Sequence, residues 1–253
     1  MTTLPRAAGA ERMDEPDQDA GQLALSLADL RRVNRFLGGT RVALHHLARL
    51  VRALGRPEVR VLDVATGSGD IPLHVAAWGR AHGIRIHVTA TDFHATTLDL
   101  ARRHTAADPD VTVEEADALA LPYADGAFDF ALCSTALHHF DRREDAIRVL
   151  HELDRVGRYG FVVNDLARSR PALLGAKLLA ATLWRRHPVT AHDGPLSVRR
   201  SYTPPELGAL AADAGLANAT VYAHFPFRVA LVVDRTESVG PQSIRRGSAD
   251  PKT

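Results

Sequence analysis

The sequence predicts an α/β fold: a doubly wound seven-stranded sheet, mostly parallel with its last strand antiparallel, with an N-terminal helical cap and a helical insertion after the fifth strand. Three observations predict it. After Pro57, short β-rich runs alternate with helical stretches, the signature of parallel strands joined by crossover helices. The first run ends in a glycine turn, Ala65-Thr66-Gly67-Ser68-Gly69, that opens directly into a helix. Near the other end, Thr220 to Phe225 and Arg228 to Val233 are separated by little more than Pro226-Phe227, a hairpin that makes the last strand antiparallel.

Taken in order, residues 1–20 are rich in Asp, Glu, Ala and Pro without an apolar period, so a disordered arm is expected. Residues 21–56 form the cap. Leu23, Leu25, Leu27, Leu30 and Val33 mark a first helix that the Gly38-Gly39 pair should stop, and Val42, Leu44, Leu47, Leu50 and Val51 mark a second. The sheet domain spans 57–235. Its first five strands are read at Val59 to Val64, Ile84 to Thr91, Val111 to Glu115, Phe128 to Cys133 and Phe161 to Val163. Helices lie between them, around Ile71 to Ala81, Ala95 to His104 and Arg142 to Val156. An insertion, 167–202, is read as a helix from Pro171 to Arg186 followed by a turn-rich basic segment, His187 to Tyr202. Thr203 should cap a further helix that begins at Pro204-Pro205 and ends at Gly215. Residues 236–253 are expected to be a loose tail.

Composition narrows the function class. A chain of 253 residues with 45% hydrophobic content suits one packed domain with appendages, and a net charge of +1 gives no pull toward nucleic acid. The single cysteine, Cys133, excludes an internal disulfide and fits a reducing compartment. No secretory signal is read at the N-terminus. The longest apolar-rich stretch, Pro171 to Trp184, contains Lys177 and falls short of the ~20 residues that span a bilayer. A cytoplasmic protein without stable membrane insertion is expected.

A ligand on such a sheet sits beyond the carboxyl ends of the strands. Those ends read as the glycine turn, Thr91-Asp92-Phe93, Asp117-Ala118 and Cys133-Ser134. Small residues at Ala65, Gly67 and Gly69 let the backbone bend and a ligand lie close. The ordered set is Leu-Asp-Val-Ala-Thr-Gly-Ser-Gly-Asp at 62–70, Thr-Asp-Phe at 91–93, Asp-Ala-Leu-Ala-Leu-Pro-Tyr-Ala-Asp-Gly-Ala-Phe-Asp at 117–129 and Leu-His-His-Phe at 137–140. In this order it resembles the class I S-adenosylmethionine-dependent methyltransferases, over roughly Val59 to Asp234.

The resemblance implies S-adenosyl-L-methionine as cofactor and the following roles. Asp63 organises the turn, with Thr66 and Ser68 part of it, while Ala65, Gly67 and Gly69 pass close to the methionine portion. Asp92 accepts from both ribose hydroxyls, Phe93 lies against adenine, Asp117 and Ala118 read the edge of that base, and Ser134 sits near the sulfonium. Ala65 stands where most relatives have their first glycine, a variation shared with the ubiquinone and menaquinone biosynthesis methyltransferases. Arg155-Val156-Gly157-Arg158 stands where many have a Pro-Gly-Gly turn. A nicotinamide-dependent oxidoreductase is the rival enzyme reading, but Pro72 occupies the place of its third glycine. A catalytically silent cofactor-binding protein is the non-enzyme alternative.

The catalytic residues are expected to be His138 as base and Asp165 as the group that holds its ring, since histidine titrates in the right range. Adjacent His138 and His139 are not both expected to face the pocket. His192-Asp193 and Arg199-Arg200 could reach an acidic or phenolic acceptor but are read first as a solvated loop face, and His224 is read as structural. Asn164, Asp165 and Asp141 are disfavoured as ligands, so no metal site is expected. Ser134-Thr135-Ala136-Leu137 replaces the Asn/Asp-Pro-Pro-aromatic run of enzymes that methylate DNA bases or glutamine, which favours a small acceptor: phenolic, quinone-like or polyketide-like, with O-transfer slightly ahead of C-transfer. The acceptor is expected to be bounded by the N-terminal helices and by the helix bearing Leu173, Leu174, Leu178 and Leu179, which is read alternatively as the surface of a homodimer or as plain core.

Overall fold

The computed structural model describes residues 4–15 and 17–238. α1 (Ala20–Phe36) starts at Asp19, whose side chain accepts the Gln22 N–H. Gly38, at φ 86, turns the chain at once into α2 (Gly39–Leu54), which closes on left-handed Gly55. The expected glycine stop is therefore where the two cap helices part. Val42, Leu47, Leu50 and Val51 are buried and press α2 against the sheet.

The sheet follows: β1 (Glu58–Val64), α3 (Asp70–Ala81), β2 (Arg85–Asp92), α4 (Ala95–Thr105), β3 (Val111–Glu115), β4 (Phe130–Ser134), α5 (Arg143–Val156) and β5 (Gly160–Leu166). The insertion supplies α6 (Arg170–Ala181) and α7 (Pro188–Arg200). Then come α8 (Pro204–Asp213), β6 (Ala219–His224) and β7 (Arg228–Asp234). The seven strands lie in the order β3-β2-β1-β4-β5-β7-β6, as the expected fold class requires. The first five pair in parallel, and β7 runs antiparallel between β5 and β6. Strand order reverses between β1 and β4, which opens a crevice at their carboxyl ends.

Helices cover both faces, so the central strands read as apolar runs without alternation. Val61, Val88, Phe130, Leu132 and Val162 pack toward α2 and α3, while Leu62, Val64, Ala131 and Val163 pack toward α5 and α8. Each fully buried large aliphatic contributes ~1.5–3 kcal/mol. Thr203 caps α8 as expected, in a reciprocal capping box with Glu206.

Two expectations are corrected. The arm, where described, is docked instead of loose: Arg12–Asp14 make a 3-10 turn, and the Ala7 N–H donates to the Arg199 carbonyl at 3.0 Å. The N–H groups of Arg12 and Met13 each donate to the Asp193 carboxylate at 3.0 Å. Isolated polar groups meeting buried partners leave no period, so the sequence pattern reads as solvated. Residues 1–3 and 16 lie outside the described residues, as does the tail expected beyond 238.

The basic segment expected as turns is instead the helix α7, with Pro188 in its first turn and Pro195 inside it. Its buried side chains, Val189, Thr190, Asp193, Val198 and Arg200, mix apolar and charged types. That mixture hid the helical face.

Candidate active site

At the carboxyl ends of β1, β2 and β4 the chain makes a hollow of about 420 Å³. Its floor is the turn after β1, where Ala65 (φ 55) and Gly67 (φ 57) take left-handed backbone. For alanine that conformation is strained, and the surrounding bonds hold it there. The Gly67 N–H donates to Asp92 Oδ2 at 3.0 Å, the Thr66 N–H to the Thr91 carbonyl at 2.8 Å, and the Thr66 hydroxyl to Asp63 Oδ2 at 2.6 Å. Asp92 Oδ1 accepts from the N–H groups of Phe93 and His94. The two strand ends are thereby tied together by one carboxylate.

Asp63, Ala65, Thr66, Gly67, Asp92, Phe93, Asp117, Ala118 and Ser134 all line this hollow. Ser68 and Gly69 do not. The Ser68 side chain is buried beneath the turn, 3.4 Å from Asp70 Oδ1, and its carbonyl meets the His104 ring at 2.8 Å. At Gly69 (φ 74) a Cβ would stand 2.7 Å from Thr105 Cγ2, so the glycine serves the close approach of α4. Phe93 is largely exposed at the rim. Sequence reasoning missed Leu27, Leu30 and Asn34 of α1, which roof the hollow, and Asp70, which holds the Asn34 amide at 3.2 Å. A buried Asn in an amphipathic helix was the available signal.

The hollow is electronegative and incompletely satisfied. Asp63 Oδ1 and Ser134 Oγ are buried without hydrogen-bond partners. Burial, together with the charges of Asp70 and Asp92, pushes the Asp63 carboxyl up to about 7 in spite of the Thr66 hydroxyl. Burial likewise raises Asp92. Such a lining suits a cationic, hydroxyl-bearing ligand and opposes the pyrophosphate of a dinucleotide.

A second cavity of about 350 Å³ adjoins it, sharing Met13, Leu30, Thr135 and His139. Val33, Leu37, Leu166, Ala172, Leu179 and Trp184 give it mostly apolar walls. Leu178 and Leu179 of α6 are in that wall, Leu178 at its open edge and largely exposed, as is Leu174, which does not line it.

Polar groups gather on one side of it. The 3-10 turn Leu137–His139 places both histidines on the cavity, correcting the expectation that only one could face it. His138 is buried, and its Nδ1 lies 2.7 Å from Asp165 Oδ1 while its N–H donates to Oδ2 at 3.0 Å. Burial would raise the Asp165 carboxyl, but His138 beside it holds it below the usual range. His139 Nδ1 lies 2.7 Å from Asp14 Oδ2. Although burial alone would lower it, the Glu11 and Asp14 carboxylates lift His139 to about 9.

Arg228 closes the inner end, donating to the Thr135 hydroxyl at 2.9 Å; burial brings it down to about 10. The pairs expected to be solvated are also built in. Buried Asp193 holds the arm, and buried Arg200 donates to the carbonyls of His138 and His139. His224 stays apart, its Nε2 2.8 Å from that of His46. Glu11 and Arg228 were not singled out from sequence as parts of the site, because each meets the histidine turn or its neighbours from a distant part of the chain; Arg200 was weighed as a group that could reach the acceptor, but instead it holds the backbone of the histidine turn.

With this geometry in hand, the likeness to known proteins is specific. Residues 61–160 match a family model described as "Methyltransferase domain". A demethylmenaquinone methyltransferase of Deinococcus radiodurans is 36% identical over 94 residues, 37% of this chain and 37% of the relative. One of Thermus thermophilus is 39% identical over 102 residues, 40% of this chain and 44% of the relative. The chain thus aligns over less than half the length of these curated relatives. A crystal structure of a SAM-dependent methyltransferase from Aquifex aeolicus superposes with a TM-score of 0.54 at 18% identity, covering 81% of this chain and 97% of that one. Residues 61–160 thus resemble a methyltransferase domain in sequence, and the fold is similar to that of the Aquifex SAM-dependent methyltransferase.

Proposed function

We propose that this chain transfers the methyl group of S-adenosyl-L-methionine to a small, largely apolar acceptor of phenolic, quinone-like or polyketide-like type, with oxygen favoured over carbon as the methylated atom. The observation that carries this reading is the meeting of an electronegative hollow and an apolar cavity at Thr135 and His139. The similarity to proteins named demethylmenaquinone methyltransferase supports the quinone-like end of that range.

The residues fit the cofactor. Asp63 Oδ1, buried and unpartnered, suits its ammonium group, and Ser134 Oγ has unspent bonding capacity toward the reacting end. Asp92 would accept from the ribose hydroxyls, Phe93 would cover adenine, Asp117 and Ala118 would bound its edge, and Ala65 and Gly67 would leave room for the methionine chain. Bound there, the cofactor supplies an electrophilic methyl group. The protein's remaining task is alignment and, for a hydroxyl acceptor, removal of a proton. The reading gives that proton to His138 Nε2. Asp165, fixed on Nδ1, holds the ring in one tautomer and stabilises its protonated form. The apolar walls favour an acceptor with few polar groups, and Arg228 favours an oxygen that ionises.

The test is methyl transfer from labelled cofactor into an extract of small metabolites. Wild type should label at least one apolar product, and His138→Ala should lower turnover about 100-fold while changing cofactor affinity less than threefold, within the range of a lost general base. Unchanged turnover in His138→Ala removes it as the base. No labelled product with any extract fraction removes the activity.

A further inference from the structure

The Nδ1 atoms of His138 and His139 are each engaged by a carboxylate, Asp165 and Asp14, both at 2.7 Å. Both Nε2 atoms are therefore turned toward a third carboxylate, Glu11, brought in by the docked arm. His138 Nε2 lies 3.5 Å from Glu11 Oε1, and His139 Nε2 lies 3.8 Å from Oε2. These separations are long for N–H···O bonds. They are close to the roughly 3.3 Å between two ligands held at about 2.0–2.1 Å on one tetrahedral ion.

Glu11 is 1% exposed, and its Oε1 has no hydrogen-bond partner among the described residues. A buried carboxylate oxygen left in that state is costly unless a cation meets it. The ligand atoms of Glu11, His138 and His139 all fall within 4.8 Å of one another. Two cations stand nearby. Arg200 spends its three nitrogens on the carbonyls of His138, Gly9 and His139. His139, protonated between Glu11 and Asp14, faces Glu11 Oε2 at 3.8 Å and gives up its Nε2 proton when an ion binds.

We propose that Glu11, His138 and His139 bind a divalent transition-metal ion at the wall of the acceptor cavity. Two imidazoles and one carboxylate suit Zn²⁺, Co²⁺ or Fe²⁺ better than Mg²⁺ or Ca²⁺, which prefer all-oxygen shells. Asp165 and Asp14 supply the outer carboxylates that orient metal-bound histidines. All three ligands line the cavity, so a fourth position opens toward the space where an acceptor oxygen would sit. Resting on the methyltransferase reading, the ion would lower the pKa of a coordinated hydroxyl and leave His138 as a ligand in place of the base. The N-terminal arm would then be part of the site, since it carries Glu11 and Asp14.

The experiment is a titration of the tag-free, chelator-stripped full chain with Co²⁺, followed by its displacement with Zn²⁺. Wild type should take up about one ion per chain and develop the visible absorption of a four-coordinate nitrogen and oxygen site. Glu11→Gln and His139→Asn should each bind at least tenfold more weakly, and Asp14→Asn about 10- to 100-fold more weakly. Circular dichroism identifies any variant that has lost its fold, and the conclusion then rests on the others.

No uptake by wild type, uptake that the folded variants leave unchanged, or uptake of Mg²⁺ without Co²⁺ overturns the proposal. S-adenosylhomocysteine binding measured on the same metal-free samples reports on the methyltransferase reading separately. Failure of either result leaves the other interpretable.

Discussion

At the scale of single residues, Asp63 is a carboxylate whose charged form is held at a cost to stability by burial and by its acidic neighbours. Its carboxyl is raised to about 7 in the native chain, against 3.8 ordinarily. The native state therefore binds the proton more tightly than the unfolded state does. The stabilisation is complete below about pH 4 and is lost as pH rises toward 7. Asp63→Asn removes that loss, so its melting temperature at pH 8 should equal or exceed wild type while cofactor affinity falls about tenfold, the scale of one charged hydrogen bond. Differential scanning calorimetry and a binding titration check the two halves.

His46 titrates in the opposite sense: burial, with His224 and His45 nearby, lowers it to about 4. Its contribution is present above the ordinary value of 6.5 and is lost as pH falls through 6.5 toward 4, by at most about 1.4 kcal/mol per unit. The melting temperature of His46→Leu should fall less steeply than that of wild type between pH 6.5 and 5. At this scale the carboxylates of the hollow and the His138–Asp165 contact were legible in sequence, because motif order fixes their strand ends. The partners of His139 and Thr135 were not, since Asp14 and Arg228 reach them across 125 and 93 positions.

At the level of elements, the alternating strands and helices were legible because each buries a regular face, and the Gly38 and Thr203 signals mark real ends. The docked arm and α7 were not legible, because they are held by point contacts to buried charges. Asp193 is one of the buried fastenings, accepting two arm N–H groups. Asp193→Ala leaves both donors without that partner, at a cost of about 1–3 kcal/mol for the arm's docking. Limited proteolysis should then cut within residues 4–15 much faster than in wild type, with the sheet domain left intact. Ligand binding in both cavities should weaken, since Glu11 and Met13 line the apolar one and Met13 and Asp14 the hollow beside it. Equal cleavage rates in the two proteins would show that the arm is held elsewhere.

Across the whole molecule, the strand order opens one crevice at the switch between β1 and β4, and the cap, insertion and arm enclose the space beside it. The sequence pattern anticipated the crevice, because short motifs at successive strand ends repeat a known order. It anticipated α1 and α6 as walls of the adjoining apolar cavity, but not α7, β5, the closing hairpin and the arm, which complete it. Cavity shape follows from packing among distant elements and leaves no local period. The account depends on the first hollow taking an adenosyl sulfonium ligand. Calorimetric titration with S-adenosyl-L-methionine tests this most directly, using wild type and Asp92→Ala, with melting temperatures to confirm that both are folded. The prediction is one site per wild-type chain and binding weakened by about 10- to 100-fold in the variant; no heat of binding to folded wild type, or equal affinity in both, would contradict it.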